Sequence, residues 1–379
     1  MMHPSLTRLL LPATVLAASI APVLGFAQAS SNVTVIATGL QGPRGLKFGP
    51  DGMLYVAEAG TGGTVSTQGI CTQVVAPIGP YLGGNTARIS RIDRNGNRTT
   101  VASGLPSTID SNTPPDFMGV SDVAFLNGTL YGLVTGGGCS HGNASAPNSI
   151  VKISLTDGSW QYIANLSQYV LANPTEYPDP DDFEPDGVFY GMIAYQDRLY
   201  AVESNRGEVL SIGPGGDIRR EIDVSASQGH IVPTTIAERD GNFYLGNLER
   251  FPILPTTARI QTLSYNQGLL GLLSWLDPAL SDSHKLKITD SKAGFTTVVA
   301  SAFGPDGLLY VLELSAAPGY PSPGAGTVVR ICRNGDLQTV ATGLIVPTGM
   351  TFGPDGKLYV SNLGAAAPGA GQIVRIDLP

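Results

Sequence analysis

The chain is poor in charge and in the residues that most often carry chemistry. Only 14% of its 379 residues are Asp, Glu, Lys or Arg, with 3 Cys, 4 His and 2 Trp. Lys and Arg number 22 against 30 acids, no basic run occurs, and the net charge is −8. Such a chain lacks the electrostatic footprint of a nucleic-acid binder and would be repelled by anionic lipid. The histidines, His3, His141, His230 and His284, are too scattered for a transition-metal site, and no cysteine pair has zinc-ligand spacing. A G-x-S-x-G elbow is missing, as is any Gly-rich loop ending in Lys-Ser/Thr.

Long apolar runs are also scarce. The one that stands out, residues 9–24, follows Arg8 and precedes Ala27-Gln28-Ala29, the small-x-small pattern read by a signal peptidase. Residues 1–29 are therefore expected to be a signal peptide, cleaved near Ala29/Ser30. The product would be secreted or periplasmic, with no membrane insertion after leader removal, an oxidising setting in which one disulfide and one free thiol are expected.

What the chain has in quantity is turn chemistry: 48 Gly and 28 Pro without low-complexity runs. One phrase occurs three times, "FGPDGMLYVAEA" from Phe48, "FGPDGLLYVLEL" from Phe303 and "FGPDGKLYVSNL" from Phe352. Pro presets φ at a turn's second position, Asp tolerates the next, and Gly takes positive φ, so each copy reads as a β-hairpin. Degenerate copies, "AFLNGTLYGLV", "AYQDRLYAVES" and "AERDGNFYLGN", bring the marker tyrosines to six: Tyr55, Tyr131, Tyr200, Tyr244, Tyr310 and Tyr359. Each hairpin is followed by a second two-strand pattern of the type "ARISRIDRNGNRTTVASGL".

Six units of four short strands predict an all-β fold, a six-bladed β-propeller with four-stranded antiparallel blades. The sixth unit ends at its third strand, "GQIVRIDLP", while "VTVIATGL" at 33–40 matches the fourth-strand segments. The N-terminal strand should therefore complete the last blade and close the ring, leaving no open edge. Residues 30–379 form one domain on this reading, expected to be a monomer. The surplus over the repeat lies in loops, including an insertion at 264–283 in blade four whose "GLLGLLSWLDP" suits a short helix lying on the propeller.

The end of each second strand and the start of each first strand should meet on one face. That gathers Glu58, Glu203, Asn247, Glu313 and Asn362, with Val134 in blade two, alongside Arg44, Asp122, Tyr190, Thr234 and Thr348. Asp181, Asp182, Glu184 and Asp186 lie just before blade three, and His230 before blade four. Three readings of the second-strand set stand open. Glu58, Glu203, Asn247 and Glu313 could ligate Ca²⁺, a hard cation that prefers carboxylate and amide oxygen. They could hold a polar substrate, with one carboxylate as general base. Or they could be turn residues that satisfy free backbone amides.

Cys71 and Cys139 both follow second strands, so they share a face and could form a disulfide. Cys332, within "VVRICRNG", reads as a small buried hydrophobe, and "TGGGCSHG" at 135–142 as a flexible loop.

The segments "ATGLQGPRGLKFGPDGMLYVAEAG" (37–60), "GVSDVAFLNGTLY" (119–131), "FPILPTTARI" (251–260), "GFTTVVASAFGPDGLLYVLEL" (294–314) and "VPTGMTFGPDGKLYVSNLGA" (346–365) resemble the ScyD/ScyE family over almost the whole chain after the leader. The resemblance implies an exported NHL-like six-bladed propeller and supplies no catalytic residues. The expectation is therefore a propeller that binds a small molecule or partner at its channel mouth, its molecular activity unknown. Two alternatives remain: a Ca²⁺-dependent lactonase or esterase of the gluconolactonase-like type, in which the metal polarises a carbonyl, and a protein-interaction platform using the broad face and the Leu-rich insertion.

Overall fold

In the computed structural model the described residues are 28–111, 115–178, 183–265, 285–317 and 321–378. After β1 (Val33–Leu40), blade one comprises β2 (Pro43–Phe48), β3 (Leu54–Glu58), β4 (Leu82–Ile92) and β5 (Arg98–Ile109), with a two-residue strap, β6 (Phe117–Met118), added at its edge. Blade two is β7 (Val120–Leu126), β8 (Thr129–Val134), β9 (Ser149–Ile153) and β10 (Trp160–Asn165). Helix α1 (Leu166–Ala172) leads to blade three: β11 (Phe189–Tyr195), β12 (Arg198–Glu203), β13 (Glu208–Ile212) and β14 (Ile218–Asp223). A short α2 (Ser225–Gln228) precedes blade four: β15 (Pro233–Arg239), β16 (Asn242–Asn247), β17 (Ala258–Tyr265) and β18 (Leu286–Phe295). Blade five is β19 (Val298–Phe303), β20 (Leu309–Glu313), β21 (Gly326–Ile331) and β22 (Leu337–Leu344).

The sixth blade takes β23 (Gly349–Phe352), β24 (Leu358–Asn362) and β25 (Gly371–Ile376) from the C-terminal end and β1 from the other. Strand β1 pairs antiparallel with β25, from Val33 opposite Ile376 to Leu40 opposite Gly371. The fold is a six-bladed β-propeller closed by its first strand. The first strand of every blade touches the first strand of the next, and β23 returns to β2. Six hydrophobic clusters accompany them, one at each blade–blade interface.

The repeated phrase is the joint between blades. Tyr55 meets Phe125 edge-on at 5.0 Å, and the pairs Tyr244–Phe303, Tyr310–Phe352 and Tyr359–Phe48 repeat that distance. In each, the Tyr of one blade packs on the ring that ends the next blade's first strand. Edge-to-face pairs of this kind add roughly 0.5–1.5 kcal/mol beyond the area they bury. The turn aspartate fixes the tyrosine: Tyr55, Tyr310 and Tyr359 donate to Asp51, Asp306 and Asp355 at 2.9, 3.0 and 2.9 Å. Glycine precedes the proline because the tyrosine ring occupies its side-chain space. A Cβ on Gly49, Gly304 or Gly353 would lie 2.6 Å from Tyr Cε2.

Two elements depart from the sequence reading. Asn165 caps α1 by accepting from the Gln168 amide at 2.9 Å, with Leu166 and Val170 turned inward. Ahead of blade two, β6 pairs with the end of β5 and extends blade one at its edge. The insertion proposed at 264–283 lies outside the described residues apart from Ser264 and Tyr265, which end β17. No helix among the described residues is long and apolar enough to cross a membrane.

Candidate functional site at the channel mouth

The channel is walled by the six first strands. Lys47, Asp122, Tyr190, Thr234, Ser301 and Thr348 supply polar lining among Leu46, Met192 and Met350. The enclosed space is about 30 Å³, room for a few water molecules and too small for a metabolite. Anything larger must sit above it, at the mouth.

Tyr190 is the reason the channel is barred. It belongs to blade three, yet its hydroxyl donates to the Thr348 carbonyl of blade six at 3.3 Å, and its ring packs on the apolar cluster of blades five and six. Blades three and six face each other across the axis, so the side chain spans the opening. Burial pushes its hydroxyl up to about 12, against the opposing charge of Arg44, and it stays a donor.

Arg44, on β2, lies beside Tyr190. Its Nη2 donates to Asp116 Oδ1 at 2.8 Å and to the Phe117 carbonyl at 2.5 Å. The Arg44 side chain is 10% exposed and that of Asp116 is 49% exposed. Burial alone lowers the Arg44 pKa, but the Asp116 and Tyr190 charges outweigh it, and the net shift is upward. Asp122, on the adjoining wall, accepts from the Met192 amide of blade three and its own neighbour's amide at Val123, both at 2.8 Å. Burial raises its carboxyl to about 6, with Lys47 and the two amides opposing. Gly45 makes this possible, since a Cβ there would fall 1.9 Å from Asp122 Oδ1.

Of the predicted mouth residues, Asp122, Tyr190, Thr234 and Thr348 line the channel, and Arg44 lies beside Tyr190 without lining it. The second-strand set does not line it. Glu58, Glu203, Asn247, Glu313 and Asn362 are all buried, but each turns to the backbone that leads into its own blade. Glu58 accepts from the Gln41 amide at 2.7 Å, from Arg88 at 2.8 Å and from the Ser90 hydroxyl. Glu203 accepts from the Val188 and Arg206 amides at 2.8 and 2.5 Å. Asn247 donates to the Ile231 carbonyl at 3.0 Å and accepts from the Arg259 amide at 2.9 Å. Glu313 and Asn362 accept from the Thr296 and Ile345 amides at 2.6 and 2.8 Å. The expected convergence fails for a geometric reason. A second strand lies about 4.8 Å behind the first, so its end faces its own blade's loops instead of the axis. His230 is buried ahead of β15 and does not line the channel either.

The Ca²⁺ expectation is corrected on the same ground. Glu58, Glu203, Asn247 and Glu313 spend their oxygens on backbone amides and arginines of separate blades. Among the described residues no three His, Cys, Asp or Glu side chains come together as metal ligands would. These residues do not fit a cation site.

A buried polar network escaped the sequence reading. His141 contacts Glu184 at 2.7 Å and the Gly137 carbonyl at 2.6 Å, while Tyr81 donates to the other Glu184 oxygen at 3.3 Å. Ser140 donates to Asp186 through both its amide and hydroxyl, at 2.8 and 2.6 Å. Burial lowers the imidazole pKa, but the Glu184 hydrogen bond and the Glu184 and Asp186 charges more than reverse it, leaving His141 raised. The network ties insertions of blades one and two to the chain leading into blade three. Residues so far apart in sequence carry no local signal of it. Cys71 and Cys139 are joined beside it as a disulfide, with Cα atoms 6.2 Å apart.

"TGGGCSHG" is accordingly a buried, hydrogen-bonded turn around a short 3-10 helix, Cys139–His141, not a loose loop. Cys332 sits just past β21 and is half-buried near Gln338, not a core residue. Asp181 and Asp182 lie outside the described residues, as do His3 and His284.

No family model matches the sequence, and no curated protein does. The likeness is structural. A gluconolactonase of Xanthomonas campestris superposes with a TM-score of 0.53 at 10% identity, over 92% of this chain and 89% of its own. A protein assigned as an oxidoreductase (glucose dehydrogenase) of Thermus thermophilus gives 0.52 at 17%, over 91% and 99%. A luciferin-regenerating enzyme gives 0.51 at 12%, over 91% and 94%. The neighbours are gluconolactonase-like and NHL-like propellers, and at these identities the kinship is one of fold alone.

Proposed function

We propose that the protein is an exported, ScyD/ScyE-like propeller, monomeric, that receives a small polar molecule at the mouth of its channel, above Tyr190. The observation that carries this reading is Arg44. A guanidinium with a 10% exposed side chain is paired with a carboxylate that is 49% exposed. A charge-assisted hydrogen bond to such a group contributes roughly 1.5–3 kcal/mol, and planar five-donor geometry suits Arg to recognising planar oxygens. Tyr190 and Thr348 add polar groups at the floor, and the barred channel stops a ligand from passing through.

The test is a thermal-shift screen of sugars, lactones and hydroxy acids on the wild-type protein and on Arg44→Met. Compounds that raise the wild-type Tm should lose their effect in the variant. Undiminished shifts in Arg44→Met would remove the mouth as the site. The lactonase-type alternative is supported only by fold kinship, and the donor geometry above does not favour it.

A platform role has one observation in its favour. Ile70, Phe251, Leu254 and Leu171, exposed at 71%, 64%, 59% and 56%, all lie on loops or α1 at the mouth face. Exposed apolar groups on one face offer contacts to a protein partner. This reading predicts that an Ile70→Ser, Phe251→Ser variant loses a protein partner while keeping its small-molecule shifts.

A further inference from the structure

We propose that the mouth ligand carries a carboxylate, and that Asp116 occupies the carboxylate's seat until the ligand displaces it. The inference rests on the mouth being the ligand site and goes further by naming the chemistry.

Arg44 is fixed at its base. Its carbonyl accepts from the Ser361 hydroxyl at 2.6 Å, and a Cβ on Gly349 would lie 2.3 Å from that oxygen, so β2 is wedged against blade six. Its guanidinium is held by the Phe117 carbonyl at 2.5 Å, which no ligand need disturb. The exchangeable contact is the one to Asp116 Oδ1 at 2.8 Å, an oxygen that also accepts the Phe117 amide at 2.8 Å.

Asp116 differs from the buried acids elsewhere in the blades and their loops. Glu58 and Glu203 are fully buried and Glu184 nearly so, whereas the Asp116 side chain is half exposed. It immediately precedes β6 and is held by paired hydrogen bonds to Asp110, which follows β5. One edge of the Arg44–Asp116 pair therefore faces solvent and the other faces Tyr190. Removing Asp116 would leave a nearly buried cation unpaired, a costly state that a ligand carboxylate relieves. A neutral sugar or an intact lactone cannot supply that charge. The seat is suited to a small hydroxy acid whose carboxylate pairs with Arg44 and whose hydroxyls reach Tyr190 and the Thr348 carbonyl.

Chemical rescue tests this. Acetate reproduces the group that Asp116→Ala deletes. The variant should melt below wild type, regain most of the lost Tm on adding acetate, lactate or gluconate, and gain nothing from chloride at equal ionic strength. Arg44→Met, Asp116→Ala should show no such rescue. Asp116→Asn, which keeps the shape without the charge, should bind gluconate more tightly than wild type, by about tenfold if 1.4 kcal/mol of competition is removed. Rescue by chloride as fully as by acetate, or no rescue, overturns the carboxylate assignment. If neutral compounds still shift wild type in an Arg44-dependent way, the mouth remains the site and the ligand class is wrong. If no compound shifts wild type and no rescue occurs, both fail together.

Discussion

The Tyr190 hydroxyl of blade three donates to the carbonyl of Thr348 in blade six, the blade opposite across the axis. A channel that sixfold symmetry would leave open is thereby closed by one side chain. Tyr190→Phe keeps the ring across the opening and should cost little stability, about 0.5–1.5 kcal/mol for the lost hydrogen bond. Tyr190→Ala removes the bar and should cost about 3–5 kcal/mol. Urea unfolding of both variants checks this; equal losses would mean that the ring does not pack across the axis.

Ring closure makes a second prediction. Phe48 and Tyr359 join blade one to blade six at 5.0 Å. A double-mutant cycle of Phe48→Ala and Tyr359→Ala should give a coupling of about 0.5–1.5 kcal/mol. Strictly additive losses would place the two rings in separate environments.

The second-strand acids should behave as scaffold. Glu313→Ala strips the acceptor from the buried Thr296 amide and should cost about 1–3 kcal/mol, yet leave the affinity for any mouth ligand unchanged. Loss of ligand affinity with stability intact would return Glu313 to the site.

Stability should also depend on pH through Glu203. Its carboxyl is raised from 4.5 to about 8, first by burial and then by the charge of Glu208 across the strand pair. The folded state therefore holds this proton more tightly than the unfolded one. The stabilisation is complete below about 4.5, the unfolded value, and is lost as pH rises through about 8. Asp122, raised to about 6, acts in the same direction over a lower range. Chemical denaturation from pH 5 to 9 should show stability falling, and Glu203→Gln should flatten the upper part of the decline. An unchanged slope in that variant would contradict the assignment.

The disulfide spans 68 residues between Cys71 and Cys139. Chain entropy gives it about 4 kcal/mol, so a Cys71→Ser, Cys139→Ser variant should melt well below the oxidised protein. An unchanged Tm would mean that His141 and its partners hold the two insertions without it.

Much of this was legible in the sequence, for identifiable reasons. The marker tyrosines and the Pro-Asp-Gly turns report purely local geometry, and the match of 33–40 to other fourth strands reveals closure because blades repeat. Asp122 and Thr348 could be placed at the channel because first strands always wall it. Glu58 and Glu313 were misplaced because sequence gives the end of a strand but not which loop its side chain meets. Helix α1 carried a signal in its Asn165 cap and the inward pair Leu166 and Val170. The pairing of His141 with Glu184, and of Arg44 with Asp116, carried none, since each joins segments far apart in sequence whose approach only the ring's curvature decides.

The most direct measurement is a crystal structure of the protein with a compound that raises its Tm. The account predicts ligand density above the Tyr190 ring, within hydrogen-bond distance of Arg44, with Asp116 turned away. Density lodged instead among Glu58, Glu203 or Glu313, or on the outer faces of the blades, would contradict it.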